Sequence, residues 1–117
     1  MSYYFLPLRP NEAVELQITF SGEVLTLVQI GKNSTALTAI VATFDSQEHS
    51  QGATFLLKNT DHAIIAYYFK VESQHNGIWQ PCAFFARQVD DQSFELSFHE
   101  EGKDNKALNV SITITFL

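Results

Sequence analysis

The sequence predicts an all-β fold, an antiparallel β-sandwich of about eight to nine strands in one domain spanning residues 1–117. Three observations support this prediction. Apolar and polar residues alternate with period two over most of the chain, turn-forming residues recur at short intervals, and no segment shows the 3.6-residue apolar period of a helix. The aromatic content of 13% also suits strands.

The first half of the chain contains four predicted strands, over residues 14–20, 23–30, 36–44 and 53–58. In the first of them Val14, Leu16 and Ile18 alternate with polar neighbours, as in a half-buried strand. Ser21 and Gly22 then form a turn. The segment 36–44 is apolar on both faces, so we predict a central strand there, followed by a polar turn.

The second half contains four more predicted strands, over residues 63–71, 79–89, 93–98 and 108–116. The pair Asn76-Gly77 predicts a tight hairpin, because both residue types tolerate positive φ. The closing strand is the clearest, with Leu108 and Val110 on an apolar face and Asn109 on the polar face. We interpret it as an edge strand suited to subunit pairing, and therefore predict a homo-oligomer, a dimer or a tetramer.

The net charge of −6, with only seven Lys and Arg residues, argues against nucleic acid as a partner, because such binding depends on neutralising phosphates. No apolar run approaches the length of about 18 residues needed to span a membrane. The opening residues lack the basic and long apolar regions of a signal peptide. We therefore expect a cytoplasmic location by default, with non-classical export left open.

Catalytic constellations are weak in this sequence. Cys82 lies in an aromatic strand without an evident base, which is typical of a small buried apolar residue. The four histidines stand singly, without a second ligand at zinc spacing. We therefore predict that the protein is not an enzyme.

The acidic loop before the closing strand is the most informative segment. Glu100, Glu101 and Asp104 lie within five residues, and Gly102 permits a sharp bend between them. Clustered carboxylates around a glycine are how short loops bind hard cations such as calcium. The same charges, mixed with neighbouring lysines, also fit a solvated hairpin loop, and spacing alone leaves both interpretations open.

Residues 94–105 and the closing strand resemble the C-terminal end of the two-calcium, fucose- and mannose-binding bacterial lectins. The opening Phe5-Leu6-Pro7 and the Ser21-Gly22 turn are similar to the start of that family. The resemblance implies a lectin-like β-sandwich, comparable in outline to an immunoglobulin-like one, in which two calcium ions coordinate sugar hydroxyls.

Carried over position by position, the resemblance implies two overlapping sets of site residues. The metal ligands would be Glu100, Asp104 and Asn109. The sugar-contacting residues would be Ser21, Gly22, Glu101 and Asp104.

Two departures from the family change the expected metal content. Lys106 stands where the family has a bridging Asp, and Leu108 stands where it has a ligating Asn. Two unit positive charges about 4 Å apart repel each other by roughly 4 kcal/mol at an effective dielectric near 20, so a lysine disfavours a nearby calcium ion. Two calcium ions are therefore not expected. A metal-free loop with the Lys106 ammonium in place of a cation is favoured over one calcium held by Glu100, Asp104 and Asn109.

Three functional interpretations follow from these observations. The first is a non-enzymatic, carbohydrate-binding, lectin-like module with an altered site that is poor in calcium or free of it. The alternative is a homo-oligomeric assembly protein that keeps the fold and has lost sugar binding. The third is an unrelated immunoglobulin-like sandwich with another binding function.

Overall fold

A computed structural model describes residues 3–22, 24–33, 38–100 and 108–117, with the backbone alone at Thr38. It confirms the all-β prediction with nine antiparallel strands. The described ranges contain no helix long and apolar enough to cross a lipid bilayer. The strands are β1 Tyr3–Leu8, β2 Ala13–Phe20, β3 Thr26–Asn33, β4 Thr38–Asp45, β5 Ala53–Lys58, β6 Ile65–His75, β7 Ile78–Gln88, β8 Ser93–Glu100 and β9 Leu108–Phe116.

The strands form two sheets that share β7. Sheet A has the order β4-β3-β6, with β1 and the first part of β7 both paired to the other side of β6. Sheet B has the order β7-β8-β9-β2-β5. Residues 78–81 of β7 pair with β6, and residues 82–88 pair with β8. Strand β7 therefore turns the corner between the sheets.

The apolar side chains of the two inner faces form the core. Strand β2 contributes Val14, Leu16 and Ile18, each at most 1% exposed, as their alternation predicted. Strands β8 and β9 add Leu96, Phe98, Ile112 and Ile114, and sheet A adds Val28, Ile30, Phe69 and Val71. The period-two pattern therefore identified the buried face of most strands.

The closing strand β9 has the predicted bounds, but the edge position that we inferred for it is wrong. It pairs with β2 along one side and with β8 along the other, so it lies inside sheet B. Alternation indicates how many faces of a strand are buried. It does not indicate which strands lie on either side, because that depends on segments distant in the sequence. The edge argument for subunit pairing therefore does not apply to this strand.

The prediction of a central strand at 36–44 is also wrong. Strand β4 lies at the end of sheet A, where its pairing within the described residues is with β3. Its Ile40 side chain is 62% exposed, so apolar residues on both faces do not here indicate burial on both faces.

Strand β3 extends further than the sequence predicted. It continues through Gly31 to Asn33, because an irregularity in its pairing with β4 at Ile30/Gly31 absorbs the change of register there. Strand β1, which we did not predict, pairs with β6 over its whole length.

The predicted hairpin at Asn76-Gly77 and the predicted turn after β4 are confirmed. Asn76 has a φ of 53° between β6 and β7, as the hairpin requires. After β4, Asp45 Oδ1 accepts hydrogen bonds from the backbone N–H groups of Gln47 (2.9 Å) and Glu48 (2.8 Å). The backbone N–H of His49 donates to the Asp45 carbonyl oxygen (3.0 Å) and completes this turn.

Candidate functional site

Three strand ends meet at one end of sheet B. Strand β9 begins at Leu108 between the ends of its two antiparallel neighbours, β2 at Phe20 and β8 at Glu100. The turn residues Ser21 and Gly22 directly follow Phe20. The fold therefore brings together four of the predicted site residues, which are Ser21, Gly22, Glu100 and Asn109.

The Ser21-Gly22 turn lies against the start of β9. The backbone N–H of Ser21 donates a hydrogen bond of 2.9 Å to the carbonyl oxygen of Asn109. Gly22 has a φ of 84°, and a Cβ atom there would stand 3.6 Å from the carbonyl oxygen of Leu108. An L-residue with a side chain would be strained at this φ, so glycine is the favoured residue next to β9.

Asn109 is the extra residue of a β-bulge. In the pairing of β8 with β9, Phe98 lies opposite Val110 and His99 lies opposite Leu108, which leaves Asn109 without a counterpart on β8. As a result Asn109 and Val110 are both buried, although they are neighbours in one strand. Bulges re-aim side chains in this way and are frequent next to binding sites.

The bulge reverses the burial that alternation predicted for two residues of β9. Asn109, expected on the polar face, is only 5% exposed, whereas Leu108, expected on the apolar face, is exposed. No sequence signal marks this bulge, because the alternation of residue types continues through it.

The Asn109 side chain has an unusual hydrogen-bonding state. Its Oδ1 atom is buried and accepts no hydrogen bond within the described part of the chain. A buried polar atom without a partner destabilises a fold by about 1–3 kcal/mol. Such an atom is uncommon in folded proteins, and a bound water or ion is one explanation for it.

Glu100 lies at the end of β8 and has a partner that the sequence analysis missed. Its carboxylate contacts His75 Nε2, forming an ion pair when the imidazole is protonated. The hairpin after β6 places His75 close to β8, because β7 pairs with both strands. The Asn76-Gly77 signal located the hairpin but carried no information about this contact.

The remaining predicted site residues, Glu101 and Asp104, and also Lys106, lie outside the described residues. Calcium takes six to eight oxygen ligands. The described candidates are Asn109 Oδ1, which suits a hard cation, and the Glu100 carboxylate, which His75 already contacts. Within the described ranges no group of three or more His, Cys, Asp or Glu could hold a metal ion.

A cleft of about 220 Å³ adjoins the Ser21-Gly22 turn. Its polar wall is the turn after β4, where Ser46 Oγ accepts a hydrogen bond of 3.0 Å from the backbone N–H of Thr26. The hydroxyl, amide and apolar groups that line it belong to Phe20, Gly22, Val24, Leu25, Ser46, Gln47 and Ser50. The lining contains no charged side chain from the described residues.

Two solved structures share this fold. A high-affinity mannose-binding lectin of Ralstonia solanacearum is 14% identical, with 94% of this chain and 92% of that chain covered and a TM-score of 0.54. The C-terminal domain of the BC2L-C lectin from Burkholderia cenocepacia is 12% identical, with the same coverage of both chains and a TM-score of 0.57. At these identities the likeness shows the fold, and it confirms the lectin-like architecture.

No protein-family model matches the sequence, and a search of curated proteins gives no match.

Proposed function

We propose that this protein is a non-enzymatic carbohydrate-binding module of lectin-like fold. Its sugar site would lie at the end of sheet B, where the Ser21-Gly22 turn meets Asn109 and Glu100. The observation that carries the proposal is the buried Asn109 Oδ1 atom, which has no hydrogen-bond partner in the described ranges. A bound hydroxyl group or a cation would satisfy it.

The polar and apolar groups of the cleft beside Gly22 suit a sugar. Sugar hydroxyls both donate and accept hydrogen bonds, as do the hydroxyls of Ser46 and Ser50 and the amide of Gln47. The apolar side chains of Phe20, Val24 and Leu25 complete the lining. A volume of about 220 Å³ is below the roughly 300–1,000 Å³ of clefts for drug-sized ligands, and so suits a smaller ligand such as a single sugar ring.

The proposed site is poor in calcium or free of it. If an ion is bound, Asn109 Oδ1 and one oxygen of Glu100 would hold it together with Asp104, and the ion would supply positive charge to orient sugar hydroxyls. The contact between Glu100 and His75 competes with that role. The family's two-ion arrangement is not proposed, because Lys106 and Leu108 replace two of its oxygen donors.

Replacing Asn109 by leucine is expected to weaken sugar binding at least tenfold and to raise the free energy of unfolding by about 1 kcal/mol. The two effects have one cause, because the substitution removes a buried oxygen that has no hydrogen-bond partner within the described ranges. Calorimetric titration with methyl α-D-mannopyranoside, with calcium and then with excess EDTA, measures the first effect. Urea denaturation measures the second.

Ser111→Ala is the matched control, because Ser111 lies two residues further along β9 and should leave sugar binding unchanged. EDTA should weaken binding in the unmodified protein by less than tenfold.

An absence of binding across a glycan array, with and without calcium, would rule out the proposed function. A strongly destabilised Asn109→Leu protein would show that the oxygen already has a partner in the folded chain.

An assembly role is the second candidate, and the observation that favours it is the exposed edge of sheet A. Strand β4 presents Ile40 and Val41 to solvent beside unpaired backbone groups within the described ranges. We predict a dimer or tetramer by light scattering, which Ile40→Lys converts to monomer. Ile64→Lys, at an equally exposed loop position, should leave the assembly intact. A monomer at every soluble concentration would exclude this candidate.

A further inference from the structure

A second surface with ligand-binding chemistry lies on the outer face of sheet A. A cleft of about 190 Å³ opens there, lined by Tyr3, Phe5, Gln29, Asn33 and Tyr68. We propose that this aromatic cleft binds the flat face of a single sugar ring without a metal ion. The proposal does not depend on the site at Asn109, which lies in sheet B.

Tyr68 forms the floor of the aromatic cleft. Its strand neighbours Tyr67 and Phe69 belong to the core, so the Tyr68 ring faces outward. It is nevertheless only 5% exposed, because it lies directly over Gly31 and beneath Tyr3. The Tyr3 and Tyr68 rings stack with centroids 5.7 Å apart and an interplanar angle of 21°. The Tyr68 ring is therefore a fixed support for the exposed Tyr3 ring that stacks on it.

Tyr3 and Phe5 leave ring surface available to a ligand. Their side chains are 37% and 42% exposed, and their rings meet at 48° with centroids 6.2 Å apart. The face of an aromatic ring is electron-rich, so it attracts the weakly positive C–H groups on the flat face of a pyranose. Lys70 Nζ, 5.8 Å from the Tyr3 centroid, shows that this ring already attracts a positive group.

Neutral polar groups complete the cleft. Gln29 Nε2 donates a hydrogen bond of 2.9 Å to Tyr68 Oη, which leaves the phenol proton to donate to a ligand. The Asn33 amide, exposed at the rim, supplies one more donor group and one more acceptor. A sugar ring presents both kinds of surface that this lining recognises, C–H groups on its face and hydroxyls on its edge.

Size and charge favour a sugar over other flat ligands. The cleft is smaller than the roughly 300–1,000 Å³ of sites for drug-sized molecules, so it suits one ring. A nucleotide would need cations for its phosphates. Among the described residues, the cation near the cleft is Lys70. Its Nζ atom lies 3.6 Å from Glu72 Oε1, so its charge is already paired with a carboxylate rather than available to a phosphate.

The decisive experiment is an NMR titration with methyl β-D-glucopyranoside, whose ring carries axial C–H groups on both faces. It uses the unmodified chain and the Asn109→Leu chain, both in excess EDTA, up to tens of millimolar sugar. We expect saturable shifts of the Tyr3, Phe5 and Tyr68 ring signals in both chains. Shifts that persist in Asn109→Leu separate this site from the proposed sugar site in sheet B.

Three variants test the geometry. Tyr68→Phe keeps the ring on Gly31 but removes the hydroxyl, and we expect binding about tenfold weaker. Tyr3→Ala removes the exposed ring, and we expect no measurable binding. Phe85→Ala removes an exposed ring from sheet B and should change nothing.

Two results would overturn the proposal. One is an absence of saturable shifts at these rings in the unmodified chain, which decides the question even where a variant fails to fold. The other is a change of the same signals on dilution without sugar, which would identify this face as a contact between copies of the chain.

Discussion

Replacing Asn59 by alanine is expected to lower the free energy of unfolding by about 3 kcal/mol. The Asn59 side chain is fully buried just after β5. Its Nδ2 group donates to the carbonyl oxygens of Leu8 (2.8 Å) and Ala63 (2.9 Å), and its Oδ1 atom accepts from the backbone N–H of Asp61 (2.9 Å). Alanine would leave these three backbone groups without this partner, and water replaces the buried bond to the Leu8 carbonyl oxygen poorly.

Urea denaturation of Asn59→Ala, with the slope compared to that of the unmodified protein, measures the loss. Asn59→Asp should be at least as destabilising, because it removes both donated hydrogen bonds and introduces a charge at a buried position. Thr60→Ala is the control, since Thr60 is the exposed next residue and its removal should change stability by less than about 0.5 kcal/mol. A loss below about 1 kcal/mol for Asn59→Ala would mean that water or a local shift replaces the three bonds.

Replacing Gly31 by alanine is expected to destabilise the protein by about 2–3 kcal/mol. A Cβ atom at this position would overlap the Tyr68 ring, which packs directly on the glycine. The ring has little room to move, because Tyr3 stacks on its other side and Gln29 holds its hydroxyl. The same substitution should also disturb the proposed aromatic cleft, whose floor is that ring.

A double-mutant cycle separates this clash from other effects of the substitution. In a Tyr68→Ala background the added methyl group meets no ring, so Gly31→Ala should then lower stability by less than about 1 kcal/mol. Thermal and urea denaturation of the four proteins provide the measurement. Equal destabilisation in both backgrounds would show that the backbone of β3, rather than the Tyr68 ring, requires glycine.

Most of the fold could be predicted from the sequence because local rules determine most strands. Period-two alternation located β2, β8 and β9 with nearly correct bounds, and Asn76-Gly77 located the hairpin between β6 and β7. The errors concern long-range pairing. The edge and interior positions of β4 and β9 were exchanged, because the residues of a strand report burial and not the identity of its neighbours.

For the candidate site, the sequence determined which residue types are available. It placed a Ser-Gly turn, an acidic loop and an asparagine where a resemblance to calcium-dependent lectins suggested ligands, and it showed the Lys106 and Leu108 replacements. Only the tertiary structure decided that the Ser21 turn lies against Asn109 and that a bulge buries Asn109 Oδ1 without a partner in the described ranges. The physical reason is that a bulge depends on how two strands pair, so the alternation within one strand cannot reveal it.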